Sequence, residues 1–200
     1  MRAVKFVALA SALIALVAVT LAAGPAPAAA DPAAIADPPL VSATKAADLA
    51  QVNALLDAGT DVDVFDGDKR TALNWAAYLG ALDVARTLIA HHAQIDVHAN
   101  PDGWTPLMNA AAMGYVDVAS VLIDKGADVN ATSAIGHYTP LMYAARKGKK
   151  YMVELLLDHG ARINDVDDRM WSALDFADSQ PDKAIGAVLV SRGAMRGSNQ

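Results

Sequence analysis

Two kinds of short apolar run alternate along this chain. In the first, large apolar residues fall at helical spacing, as in Val118, Val121 and Leu122, or in Val153, Leu155, Leu156 and Leu157. A glycine closes each of these runs, Gly126 or Gly160. The second kind carries paired alanines, Ala76-Ala77, Ala110-Ala111 and Ala144-Ala145. A threonine opens it, and Gly80, Gly114 or Gly148 ends it nine residues later. Each run predicts a helix. Threonine supplies an N-cap, Pro106 and Pro140 suit the first helical position, and the glycines suit a left-handed end. Small alanines let the next helix approach closely. A turn containing Asp128 or Asn130 then leads onward.

The helix pairs recur in register. Thr71-Ala-Leu-Asn74, Thr105-Pro-Leu-Met108, Thr139-Pro-Leu-Met142 and Ser172-Ala-Leu-Asp175 are spaced by 34, 34 and 33 residues. A second marker keeps step: Gly59-Thr-Asp-Val-Asp63, His92-Ala-Gln-Ile-Asp96, Gly126-Ala-Asp-Val-Asn130, Gly160-Ala-Arg-Ile-Asn164 and a last echo at Gly193-Ala194. Two markers locked in phase over four or five copies predict a solenoid.

The stretch Asp102-Gly-Trp-Thr-Pro-Leu-Met-Asn-Ala-Ala-Ala-Met-Gly-Tyr-Val-Asp-Val-Ala-Ser-Val-Leu-Ile-Asp-Lys-Gly-Ala-Asp-Val-Asn130 resembles the ankyrin repeat family. The resemblance extends over residues 38–195. It implies an all-α, ankyrin-type helix-turn-helix solenoid of five units, about 38–65, 66–99, 100–133, 134–166 and 167–195, followed by a disordered tail, 196–200. The first unit lacks the Thr-Pro pair and the last has Pro181 in place of glycine, so both read as caps with one face toward water. Three departures matter. The family's histidine after Thr-Pro-Leu is replaced by Asn74, Met108, Met142 or Asp175, so its hydrogen bonds must be lost or replaced. His92 stands where the family has glycine, so either that turn is strained or the histidine sits at positive φ. An extra residue after Gly67 and after Gly136 is expected to alter the fingertip loops of the first and third full units.

The first 30 residues differ from everything after them. Arg2 and Lys5 precede an apolar stretch from Phe6 to Ala23; Gly24-Pro25 follows, and Ala28-Ala29-Ala30 offers small residues for a signal peptidase. This reads as a signal peptide, 1–30, cleaved before Asp31, with Ala23 and Ala28 as rival sites and an uncleaved anchor as the competing reading. Either destination is outside the cytoplasm, with the periplasm of a bacterium first and full secretion second. Residues 31–37 read as a flexible linker. The chain of 200 residues holds no cysteine, which excludes disulfides, thiolate metal sites and thiol catalysis. Its net charge is −6; without the leader, 14 basic and 22 acidic residues would give −8. Such a balance argues against nucleic-acid binding.

Little suggests catalysis. Ser42-Ala-Thr-Lys45 matches the S-x-x-K pattern without a partner motif, and no phosphate-binding glycine loop is present. Asp61-Val-Asp-Val-Phe-Asp66-Gly-Asp68 hints at a calcium loop, but its glycine falls late and its twelfth position is Ala72. His91, His92 and His98 could meet a metal around one loop. The stronger candidate is a surface. The residues just before each opening Thr or Ser are Arg70, Trp104, Tyr138 and Trp171, the types enriched in binding hot spots. Shielding of the neighbouring loop is the competing role. A second row near the ends of the first helices contains Tyr78, Leu79, Met113, Arg146 and Lys147, while Trp75, Tyr143 and Phe176 read as core. Arg146, Lys147, Lys149 and Lys150 make a basic pole opposite Asp57, Asp61, Asp63, Asp66 and Asp68. The expected function is non-catalytic binding of a protein partner by a monomer of the cell envelope, with no cofactor and no membrane contact after cleavage. The alternatives are a metal- or calcium-binding accessory factor, and an immunity or chaperone-like protein for one exported enzyme.

Overall fold

The computed structural model describes residues 36–181 and 183–199. The expected leader, its cleavage site and most of the linker lie outside them. Among the described residues ten α-helices pair off in five units: α1 (Pro39–Lys45) with α2 (Leu49–Asp57), α3 (Ala72–Leu79) with α4 (Leu82–Ala90), α5 (Pro106–Met113) with α6 (Val116–Asp124), α7 (Pro140–Arg146) with α8 (Lys150–Asp158), and α9 (Ala173–Asp178) with α10 (Ala184–Ser191). Among the described residues there is no strand, only two isolated bridges, Ala99 with Trp104 and Val166 with Ser172. The odd-numbered helices stack on one another as an inner row and the even-numbered helices as an outer row. The all-α solenoid of five units is therefore the observed fold.

The caps explain the phase. Thr71, Thr105, Thr139 and Ser172 adopt extended backbone, and their hydroxyl oxygens accept the N–H groups of Asn74, Met108, Met142 and Asp175. Gly80 and Gly114 end α3 and α5 at φ 73° and 85°. Between the inner helices Ala76, Ala77, Ala110, Ala111, Ala144 and Ala145 are wholly buried. Leucines from both rows, including Leu73, Leu88, Leu107, Leu122, Leu141 and Leu156, fill the space between rows. Burying one such leucine stabilises by roughly 1.5–3 kcal/mol.

The second marker fastens unit to unit. The side chains of Asp63, Asp96, Asn130 and Asn164 accept the backbone N–H groups of Gln94, Asp128, Arg162 and Met195, each in the following unit, at 2.8–3.2 Å. His92 does take positive φ, 66°. Asn74 replaces the missing histidine: its Nδ2 donates to the carbonyls of Val97 and Trp104. Met108 and Met142 only receive their own cap N–H on sulfur.

Two expectations need correction. The residue two before each Thr or Ser makes the fingertip turn: Lys69, Gly103, His137 and Met170 all have φ between 52° and 69°. The longer loops close Ala99 on Trp104 and Ser133 on Tyr138, one residue more than Asp66 on Arg70 or Asp167 on Trp171, so the loop containing Gly136 is a long one but the loop containing Gly67 is a short one, without the extra residue expected there. The tail is also ordered as far as it is described. Residues 197–199 form a 3₁₀ turn, Arg196 pairs with Asp178, and the Gly197 N–H donates to Asp175 at 2.8 Å. The Asp175 cap carboxylate thus takes a further donor from the segment after the fifth unit.

Candidate partner-binding surface

The fingertip turns place Trp104, Tyr138 and Trp171 beside the inner helices of units three to five. Their rings do not stand alone. Trp104 packs on Tyr143 at 4.2 Å between centroids, Tyr143 on Tyr138 at 5.4 Å, Tyr138 on Phe176 at 5.7 Å and Phe176 on Trp171 at 5.3 Å. Tyr143 and Phe176 are buried. Trp104 and Tyr138 are half-buried and Trp171 is 39% exposed. Two columns therefore interleave into one ladder, with buried rings at the back and half-open rings in front. Each ring pair adds about 0.5–1.5 kcal/mol beyond its area.

Cations dress the ladder. The Arg169 guanidinium stands 5.0 Å from Trp171, 5.7 Å from Phe176 and 5.8 Å from Tyr138, and donates to the Tyr138 hydroxyl at 2.9 Å. Its charge is matched by buried Asp167 at 2.9 Å. Arg146 approaches Tyr138 from the end of α7, at 5.9 Å.

A second cluster occupies units one and two. Arg70 lies 4.7 Å from the Trp75 ring, and Lys45 lies 4.2 Å from it. Trp75 meets Tyr78 edge-on at 5.8 Å. Trp75 is only half-buried, so it belongs to this surface as well as to the core. Its indole donates to Asp66 at 2.7 Å. Burial works against charge on Asp66, yet the N–H groups of Arg70 and Asp68, the Trp75 indole and Lys45 outweigh it and hold its pKa below the ordinary value. Asp66 thus stays ionised and ties fingertip, indole and cap helix together.

The chemical candidates are engaged elsewhere. Lys45 pairs with Asp37 at 2.7 Å and with Asp66 at 3.4 Å, so it is not a free base for Ser42, whose hydroxyl donates to the Asp37 carbonyl. Asp61 and Asp63 accept backbone N–H groups of Asp63 and Gln94. His98 hydrogen-bonds the Gly103 carbonyl. Among the described residues no three His, Cys, Asp or Glu side chains come together to hold a metal ion, and no helix is long and apolar enough to cross a membrane.

A family model of three ankyrin repeats matches residues 40–133, and a single ankyrin repeat matches residues 136–168. The chain belongs to the ankyrin repeat family. No curated protein matches it. Ankyrin repeats generally act as protein–protein interaction modules and are typically not enzymes. In this ankyrin stack Arg70 joins Tyr78 through Trp75, while Trp104, Tyr138, Arg146 and Trp171 share the ladder. Leu79 and Met113 are 40% and 37% exposed, and Lys147 is exposed at the end of α7. Sequence reasoning missed Lys45 and Arg169. Lys45 could have been found, since it precedes Tyr78, Ala112, Arg146 and Ser179 in one column spaced by 33, 34, 34 and 33.

Proposed function

We propose that this ankyrin chain is an exported, non-catalytic binding module that works outside the bacterial cytoplasm and holds a protein partner against its fingertip ridge and inner helices. One observation carries the reading: half-open Trp104, Tyr138 and Trp171 are braced from behind by buried Tyr143 and Phe176. Anchors fixed before the encounter lose little entropy on binding, and Trp, Tyr and Arg dominate interface energetics. Tyr78, Leu79, Met113, Arg146 and Lys147 make the flanking row. The leader pattern of Met1 to Ala30 supports export, and a chain without cysteine is indifferent to an oxidising compartment.

Site-specific photo-crosslinkers in cells test the reading. Placed at Trp171 or Met113, they trap one partner protein; placed at Tyr151 on the outer row, they trap none. Equal capture from both faces defeats the proposal. Fractionation with N-terminal sequencing tests export, with Asp31 as the expected first residue of the processed chain.

A further inference from the structure

Seven arginines occur among the described residues, and four of them pair with aspartates: Arg162 with Asp165, Arg169 with Asp167, Arg192 with Asp158 and Arg196 with Asp178. In a chain with 22 acidic residues, Arg70, Arg86 and Arg146 have no ion-pair partner within the described residues. Arg86 is on an outer helix. Arg70 and Arg146 are on the ring surface, each held against an aromatic face, Trp75 and Tyr138. Cation–π contact engages the face of a guanidinium charge without using its N–H groups, which can still make fork-like bonds with a carboxylate. The Arg70 Nε is buried and donates to nothing, so the terminal N–H groups are the ones that would meet a carboxylate. Lys147 and Lys149 add positive charge on the Arg146 side.

We propose that the partner presents an extended acidic segment whose carboxylates engage Arg70 and Arg146 while its backbone crosses the Trp104–Tyr138 rings. This rests on the ridge being the binding face. The two arginines belong to units two and four, so about 20 Å separates them at roughly 10 Å per packed helix. An extended peptide spans that in about six residues.

Selection from a displayed library of random nonapeptides on the immobilised chain tests the proposal. The expected winners carry Asp or Glu at two positions about six apart. Their affinity falls with added salt, and R70Q/R146Q weakens it by about tenfold or more while R86Q leaves it unchanged. Matching melting curves for the variants exclude misfolding. Winners without acidic bias that still lose affinity with Trp171→Ala overturn the acidic partner but leave the ridge as a binding face. Winners indifferent to Trp171→Ala and to R70Q/R146Q overturn both.

Discussion

At the scale of single residues, the repeat supplies its own controls. Asp96 accepts the Asp128 N–H where the next two units use Asn130 and Asn164 for the same bond. Burial raises the Asp96 pKa; the Asp128 charge adds to this, and the Asp128 N–H and His98 only partly oppose it. A carboxyl whose pKa is raised on folding costs stability wherever it is ionised in the folded state, and that cost vanishes once it is protonated in both states. Asp96→Asn keeps the acceptor and removes the charge. It should raise the melting temperature near about pH 7 and leave it unchanged near about pH 3. Asp66 has the opposite sign. With its pKa lowered, its contribution is present above the ordinary value of 3.8 and is lost as the pH falls through the folded-state value. Acid should therefore release Trp75 from Asp66, visible as a shift in indole fluorescence absent from Asp66→Asn. Backbone strain offers a third test. Met170 holds φ 62° where Gly103 serves the same turn, and its side chain is 53% exposed. A left-handed L-residue costs about 1–2 kcal/mol and glycine loses about 0.5–1 kcal/mol of that gain to unfolded-state entropy. Met170→Gly should stabilise by up to about 1 kcal/mol in urea titration.

Helices and turns repeat a design whose phase is readable and whose depth is not. Cap residues, hinge glycines and paired alanines act locally, so their spacing placed all five helix pairs. Depth depends on how neighbouring units lean together. Tyr143 and Phe176 read as core and are buried, yet they also carry the ridge, while Trp75 in the same column stays half-open because Arg70 and Lys45 fill its space. Arg169 was invisible because its role comes from φ 62° at Met170 and the cradle of Asp167, neither of which has a local sequence signal. The histidine question was legible only as a question. Its answer is that Asn74 ties α3 to the next fingertip through Val97 and Trp104, whereas Met108 and Met142 make no such bond. Asn74→Ala leaves the Thr71 N–H without its side-chain acceptor and removes the donor to both carbonyls. It should cost about 2–3 kcal/mol. Met108→Ala removes packing volume and the sulfur that accepts the Thr105 N–H, but no bond to the next fingertip. Hydrogen exchange separates the two mechanisms: Asn74→Ala should loosen the 97–104 turn selectively, which a uniform drop in protection would contradict.

At the scale of the stack, stability is a sum of units and the junctions between them, so a unit packed against one neighbouring unit has fewer junctions to hold it. Among the described residues the fifth unit packs against the fourth alone and has a short inner helix, α9, of six residues. Its compensation is the tail. Asn164 accepts the Met195 N–H at 2.8 Å, Asp175 accepts the Gly197 N–H, and Arg196 pairs with Asp178. Burial opposes charge on Asp175, but the N–H groups of Gly197 and Ser172, the Ser172 hydroxyl and Arg196 lower its pKa on balance. Gly197 is the point where the clasp touches the fingertip, and a Cβ there would overlap the Met170 carbonyl. Gly197→Ala should therefore unseat the tail without touching any helix. If junctions are local, amides of α9 and α10 lose exchange protection while those of α3 to α6 keep theirs, and tryptophan fluorescence reports Trp171 leaving the ladder before the helical signal melts. A single transition at lower temperature, with protection lost equally from α3 to α10, would show that the stack unfolds as one body and that the clasp serves all five units.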